Sequence, residues 1–173
     1  GMVVTSRKDI SNKLKLLRNY GQRDKYHASI LGRNSRLDEI QAAILGVKLK
    51  YLDEWNSKRR ENALIYDSEL SNVVKIPEGH DNRKHVYHLY VIRTENRDGL
   101  MKHLRENEIG HLIHYPKPLH LQEAFSYLGY KEGDFPNAER YSKEIISLPM
   151  FPELTREEII QVSKKIKEFT EMS

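Results

Sequence analysis

The feature that most constrains this chain is a long run of apolar residues at helical spacing. Leu37, Ile40, Ile44, Val47, Tyr51 and Trp55 recur three and four positions apart, which is the period of one helix face. The pattern predicts a single helix over 36–70. Ser35 and Asp38 stand at its start like a capping box with Asp in place of Glu. Gly46 falls inside the run. An interior helix glycine costs about 1 kcal/mol against alanine, which suggests close packing at that point.

The remaining pattern is mixed. Met2 to Thr5 is a short apolar run that reads as a strand, and Ile10, Leu14 and Leu17 mark an amphipathic helix from Asp9 to Asn19. Tyr20 to Arg33 is polar, with glycines at 21 and 32, and reads as a long loop. Loops of that length are usually functional or docked on something else. Beyond the long helix, His85 to Ile92 reads as a buried strand. Arg97 to Glu106 reads as a helix stopping near Gly110, and His111 to Tyr115 as a second strand ended by Pro116 and Pro118. Leu121 to Leu128 is a short helix, and Pro136 suits the first turn of a helix reaching Ile146. Ser147 to Met150 is a third strand. Thr155-Arg156-Glu157-Glu158 opens a last helix with Ile159, Val162, Ile166 and Phe169 on one face. The expected fold class is α/β (α+β): a short sheet packed with helices, preceded by a long connecting helix. The expected organisation is an entry region over 1–35, the connecting helix over 36–70 and a compact α/β unit over 71–173.

Composition removes several function classes. The 173 residues carry 29 Lys and Arg against 25 Asp and Glu, a net charge of +4. The charges are interleaved, as in Lys58-Arg59-Arg60-Glu61, which reads as a solvated surface and not a nucleic-acid footprint. With no cysteine, disulfides and thiolate metal sites are out. No apolar stretch suits a bilayer and no signal peptide is visible, so the default expectation is a cytoplasmic protein without membrane association. His85, His88, His111, His114 and His120 lack the cysteines or spaced carboxylates of a metal set, so no metal is expected. No Gly-x-Ser-x-Gly turn, Walker A loop or dinucleotide-binding glycine motif is present.

Two short segments carry candidate chemistry. Asn34 and Ser35 precede the long helix, where unpaired N–H groups and the positive dipole end suit an anion. They read either as a plain N-cap or as phosphate ligands. Arg36 in the first turn opposes the dipole by about 0.3–1 kcal/mol, which an anionic ligand would explain. His114 and Tyr115 lead into Pro116-Lys117-Pro118, with His120 following. Proline stiffens the chain in a way that suits a binding wall. A strand-ending turn with a packed tyrosine is the other reading.

Three motifs in this order resemble a known family: Gly32-Arg33-Asn34-Ser35-Arg36-Leu37-Asp38-Glu39-Ile40-Gln41-Ala42-Ala43, then His114-Tyr115-Pro116-Lys117-Pro118-Leu119-His120, then Ser147-Leu148-Pro149-Met150-Phe151-Pro152. The chain is similar, from about Val3 to Phe169, to the C-terminal part of PLP-dependent nucleotide-sugar aminotransferases of the DegT/DnrJ type, which have fold type I. One departure is Gly110-His111-Leu112-Ile113, where the family usually has Gly-Thr-Gly-Ile and hence smaller side chains. The resemblance implies that 1–35 belongs to a large PLP domain and 71–173 to the small C-terminal domain. It implies that Asn34, with Ser35 and Arg36, contacts the PLP phosphate of a neighbouring subunit, and that His114, Tyr115, Lys117 and His120 contact the nucleotide sugar. The family moves an amino group, usually from glutamate, to a nucleotide-linked keto-sugar. Its PLP-bearing lysine is expected upstream of this stretch, and none of the lysines here matches its place, so no catalytic residue is assigned. Gly1 before Met2 reads as an expression scar. The resulting expectations are a polypeptide that does not transaminate by itself and a homodimer or larger oligomer. A split enzyme and a non-enzymatic sugar-nucleotide binding module are the alternatives.

Overall fold

The computed structural model describes residues 2–79 and 82–172; Gly1, read as a scar, lies outside them. The chain divides into two compact units, Gly1–Tyr51 and Leu52–Ser173.

In the first unit, α1 (Lys8–Leu17) is followed by a small antiparallel hairpin, β1 (Gln22–Asp24) and β2 (His27–Ala28), and then by α2 (Glu39–Leu49). Five expectations are corrected here. Met2 to Thr5 forms no strand, because extended chain becomes a strand only when another strand supplies its hydrogen bonds. The 20–33 segment is not a structureless loop but holds the hairpin. The helix expected over 36–70 is two helices. Lys50 and Tyr51 donate to Val47 and Lys48, at 3.3 and 3.1 Å, which tightens and ends the first. Asp53 and Glu54 then occupy the first turn of α3 (Leu52–Leu70), where carboxylates favour a fresh N-terminus. The expected cap also differs. Asp38 is the N-cap of α2 without a side-chain cap bond, and Ser35 lies further upstream. Gly46 meets no close packing either, since a Cβ there would touch nothing within 4 Å.

In the second unit, α3 is followed by β3 (Tyr90–Arg93), α4 (Arg97–Glu106), two 3-10 turns (Leu119–Leu121 and Glu123–Leu128), α5 (Pro136–Glu144), β4 (Ile145–Leu148) and α6 (Arg156–Met172). β3 and β4 pair antiparallel, with Tyr90 opposite Leu148 and Ile92 opposite Ile146. Single bridges widen this sheet on both edges, Lys75 to Arg93 and Leu112 to Ser147. The strands are shorter than the apolar runs suggested. At the first, the imidazole of His85 accepts the backbone N–H of Tyr87 at 2.8 Å, and Tyr87 takes φ 48°. A local turn therefore captures the N–H that a longer β3 would need. At the second, only Leu112 of the expected 111–115 strand pairs. The third strand begins at Ile145 rather than Ser147, because α5 ends two residues before Ile146.

Helix ends follow local chemistry. Asn96 caps α4 by accepting from Gly99 N at 3.2 Å, and Pro136 opens α5. Thr155 and Glu158 form the capping box of α6, with Glu158 Oε2 accepting from Thr155 N at 2.8 Å and Thr155 Oγ1 accepting from Glu158 N at 3.2 Å. The core gathers Tyr66 and Leu70 of α3, Tyr90 and Ile92 of β3, Leu100 and Leu104 of α4, Ile146 of β4 and Ile159 and Ile166 of α6. Tyr66 and Tyr90 stack at 4.7 Å between centroids. Burial, together with the hydrogen bond from Tyr90 to Asp67 at 2.6 Å, raises the Tyr90 pKa well above the ordinary tyrosine value, so this phenol stays neutral. Among the described residues, no helix is long and apolar enough to cross a membrane.

Candidate functional site

In the first unit the hairpin shapes a cleft of about 460 Å³ lined by Asn19, Tyr20, Gln22, Arg23, Asp24, Lys25, Tyr26 and Arg36. Backbone bonds fix its floor: Tyr20 N donates to Arg33 O at 3.0 Å, Arg33 N to Leu17 O at 2.8 Å and Ser35 N to Arg18 O at 2.8 Å. Residues 33–35 therefore run beside the end of α1. Gly32 permits this approach, since a Cβ there would overlap the backbone of Gly21. The hairpin turns at Lys25 and Tyr26, with Asp24 opposite His27. Tyr20 and Tyr26 hold φ of 56° and 72°. Left-handed tyrosines are uncommon, and residues held there cluster at binding sites. Lys25 Nζ lies 5.2 Å from the Tyr26 ring centroid. The cleft thus offers three cationic side chains against one carboxylate, with two phenols, and suits a phosphorylated ligand with polar substituents.

The phosphate-site residues are placed differently from the helix-terminus argument. Asn34 pairs with Asn19 in an isolated bridge and lies four residues before the N-cap of α2, so the helix dipole is not aimed at it. Arg36 lines the cleft, and with Ser35 it also lines a larger, mostly apolar groove of about 1170 Å³. Asn34 lines neither. All three side chains are exposed.

In the second unit, His114 and His120 are held by different elements. His114 Nδ1 lies 2.8 Å from Ser147 Oγ on β4. Tyr115, joined to His114 by a cis peptide, is 73% exposed and stands edge-on to the imidazole at 5.6 Å. Lys117 is exposed, and its carbonyl accepts from Gln122 Nε2 at 3.2 Å. The His120 ring turns inward instead. Its Nε2 lies 2.9 Å from Glu139 Oε1, and it packs on Phe135 at 4.8 Å. From inside α5, Glu139 also accepts the N–H groups of Gly133 (2.9 Å) and Phe135 (3.1 Å). His120 thus ties the wall segment to the start of α5.

These bonds give Glu139 a pH signature. The Gly133 N–H first, then the Phe135 N–H and His120, hold its carboxyl below the ordinary carboxylate range, against a desolvation that pushes the other way. A depressed folded pKa adds stability that is present above the unfolded value and lost as pH falls through the folded one. Urea unfolding measured from about pH 5 to about pH 3 is expected to show stability falling more steeply for the wild type than for Glu139→Gln. Equal slopes would remove this role.

Sequence reasoning passes over Arg23 and gives no role to Lys25 and Tyr26, which it places in the long loop. Gln22-Arg23-Asp24-Lys25-Tyr26-His27 has no apolar alternation, so no strand period marked it; the one available signal was the length of the polar stretch between Gly21 and Gly32. Among the described residues, no group of three His, Cys, Asp or Glu could hold a metal ion.

Comparison with known proteins places the chain among its relatives. The chain is 46% identical over 173 residues to a "pleiotropic regulatory protein" of Geobacillus stearothermophilus, matching 98% of this chain and 46% of that one. It is 40% identical to the dTDP-3-amino-3,4,6-trideoxy-alpha-D-glucose transaminase of Streptomyces venezuelae, over 99% of this chain and 46% of that protein. The crystal structure of S. venezuelae DesV superposes with a TM-score of 0.90 at 39% identity, covering 97% of this chain and 46% of that one. The chain therefore spans about half the length of the relatives it matches, and its fold is that of the corresponding part of fold-type I sugar aminotransferases. The sequence pattern of the DegT/DnrJ/EryC1/StrS aminotransferase family matches residues 1–167, and the chain belongs to that family.

Proposed function

We propose that this chain is the C-terminal part of an aminotransferase that moves an amino group, from glutamate, to a keto-sugar carried on a nucleotide, for cell-surface polysaccharide or amino-sugar biosynthesis. The observation that carries this is the hairpin cleft with Arg23 and Lys25 beside Tyr20 and Tyr26, a cationic and aromatic site of the kind a nucleoside diphosphate needs. Relatives named as transaminases of dTDP- and UDP-linked sugars support it. The reaction is placed in the cytoplasm, since a diphosphate carries charge that a bilayer excludes.

PLP, when bound, supplies the electron sink for amino transfer. The donors here fit its phosphate end: the Asn34 amide, the Ser35 hydroxyl and the Arg36 guanidinium stand exposed in consecutive positions. In the assembled enzyme they reach the cofactor of a neighbouring subunit. His114, Tyr115 and Lys117 form the sugar wall, and His120 contributes to it through its bond to Glu139. No residue of this chain is assigned a catalytic role. The unit boundary at Tyr51 and Leu52 supports a division into a PLP-domain portion and a small substrate domain, joined through the 36–70 region. Self-association of the chain is supported by the apolar face of α2, none of whose residues is buried.

Titration calorimetry of the chain with dTDP-glucose tests the reading. Binding is expected, and Arg23→Glu and Lys25→Glu are each expected to weaken it about tenfold to a hundredfold, the worth of a hydrogen bond to a charged group. Wild-type affinity in both variants would refute the cleft as the diphosphate site. The chain supplied with PLP, glutamate and a nucleotide-linked keto-sugar is expected to form no amino sugar. Product formation would overturn the assignment of a binding role alone.

A further inference from the structure

Ser147 is a buried residue on β4 with its main chain already committed. Its N–H donates to Leu112 O at 2.8 Å, and its carbonyl accepts from Leu112 N at 3.2 Å. The side chain has one recorded hydrogen bond among the described residues, to His114 Nδ1 at 2.8 Å. The same strand residue thus pins the wall segment twice, through the backbone of Leu112 and through the imidazole two residues later.

The direction of that bond follows from counting protons. A buried hydroxyl hydrogen needs an acceptor, and an unprotonated Nδ1 is the acceptor within reach. Were the proton on Nδ1 instead, the hydroxyl oxygen would accept it, and its own hydrogen would be left in a buried site without a recorded partner. The neutral ring is therefore held with its proton on Nε2. That nitrogen has no recorded protein partner among the described residues, and His114 is only half-buried.

We propose that Ser147 is a positioning residue: its hydroxyl donates to Nδ1 of His114 and fixes the imidazole, so that Nε2–H is presented as a donor to an acceptor oxygen of the bound nucleotide sugar. This rests on the reading of His114 as part of the sugar wall. The bond does more than hold a rotamer. It decides that the wall offers a donor here, which selects for an oxygen acceptor at the facing position of the ligand and against an N–H or ammonium group.

The test uses the full chain labelled with nitrogen-15 in histidine. Long-range proton–nitrogen correlation at about pH 8, above the ordinary imidazole titration, reads which ring nitrogen of His114 bears the proton. The wild type is expected to show Nδ1 bare and Nε2 protonated as a single form. S147A is expected to show exchange-averaged nitrogens, and S147T, which keeps the hydroxyl, to restore the single form. A proton on Nδ1 in the wild type overturns the proposal without recourse to any variant, and so does an S147A spectrum identical to the wild type. Titration with dTDP-glucose then reads the consequence: S147A is expected to bind about tenfold more weakly, one oriented hydrogen bond, and S147T to regain affinity. Unchanged affinity in S147A alongside the expected spectra overturns the positioning role. If the wild type shows the expected ring but binds no nucleotide sugar, the sugar-wall reading fails and the presented donor loses its ligand, while the ring measurement stands.

Discussion

Tyr66→Ala is expected to lower the unfolding free energy of the second unit by about 3–5 kcal/mol, the range for removing a large buried aromatic side chain. Tyr66 is fully buried in α3, stacks on Tyr90 of β3 at 4.7 Å, and donates through its hydroxyl to Pro149 O at 3.1 Å, just past β4. One side chain therefore links α3, β3 and the backbone just past β4. The alanine variant removes the ring contacts and leaves a cavity, which a close-packed interior does not refill. Tyr66→Phe keeps the ring and strands only the Pro149 carbonyl, for a smaller loss of about 1–3 kcal/mol. Urea unfolding followed by near-ultraviolet circular dichroism checks both, and the ordering is the strict part. A phenylalanine variant as damaging as alanine would mean that the hydroxyl bond, not the stack, holds the helix to the sheet.

The second large effect concerns association. The chain is expected to sediment as a dimer or larger, and an Ile40→Glu/Ile44→Glu double variant to sediment as a monomer. Ile40 is 76% exposed and Leu49 68%, with Ile44, Leu45 and Val47 each more than half exposed on the same eleven-residue helix. Soluble monomers seldom show contiguous apolar patches beyond a few hundred Å². The adjacent groove continues the patch through Val3, Val4, Leu14, Leu31 and Leu37. Glutamate is a good helix former, so the variant keeps its helical signal while losing the patch. A wild type that sediments as a monomer at high concentration would sink the idea, and so would a double variant that still associates.

What could be read from the chain differed by element, for physical reasons. Two helices of the second unit, α5 and α6, were legible because each carries its own start signal: Pro136 for α5, and Thr155 with Glu158 for α6. The apolar stripe of α6 repeats over several turns. The 36–70 segment misled for the same reason. Its apolar spacing runs through Lys50 and Tyr51 without a glycine or proline, and periodicity registers a face, not a break in hydrogen bonding. Strand ends were poorly placed because pairing, not propensity, makes a strand. Nothing in His85-Val86-Tyr87 announces that an imidazole will take the Tyr87 N–H.

The candidate site shows the same division. Asn34, Arg36, His114 and Tyr115 stood out as sequence motifs, because short ordered motifs survive without knowledge of the fold. The helix-dipole argument for Asn34 did not hold, because it depended on where α2 begins. Arg23 went unmarked and Lys25 and Tyr26 stood without a role, since a two-strand hairpin with polar faces has no period to detect. By itself the sequence determined the family, the class of fold, the starts of α5 and α6 and the buried face of α6, all of which depend on local chemistry. Only the tertiary structure decided that Ser147 meets His114 and that Glu139 gathers His120 with two backbone N–H groups. Those contacts join residues 33 and 19 positions apart, and a side chain's partner at that separation is chosen by how sheet and helices pack, not by its neighbours in the chain.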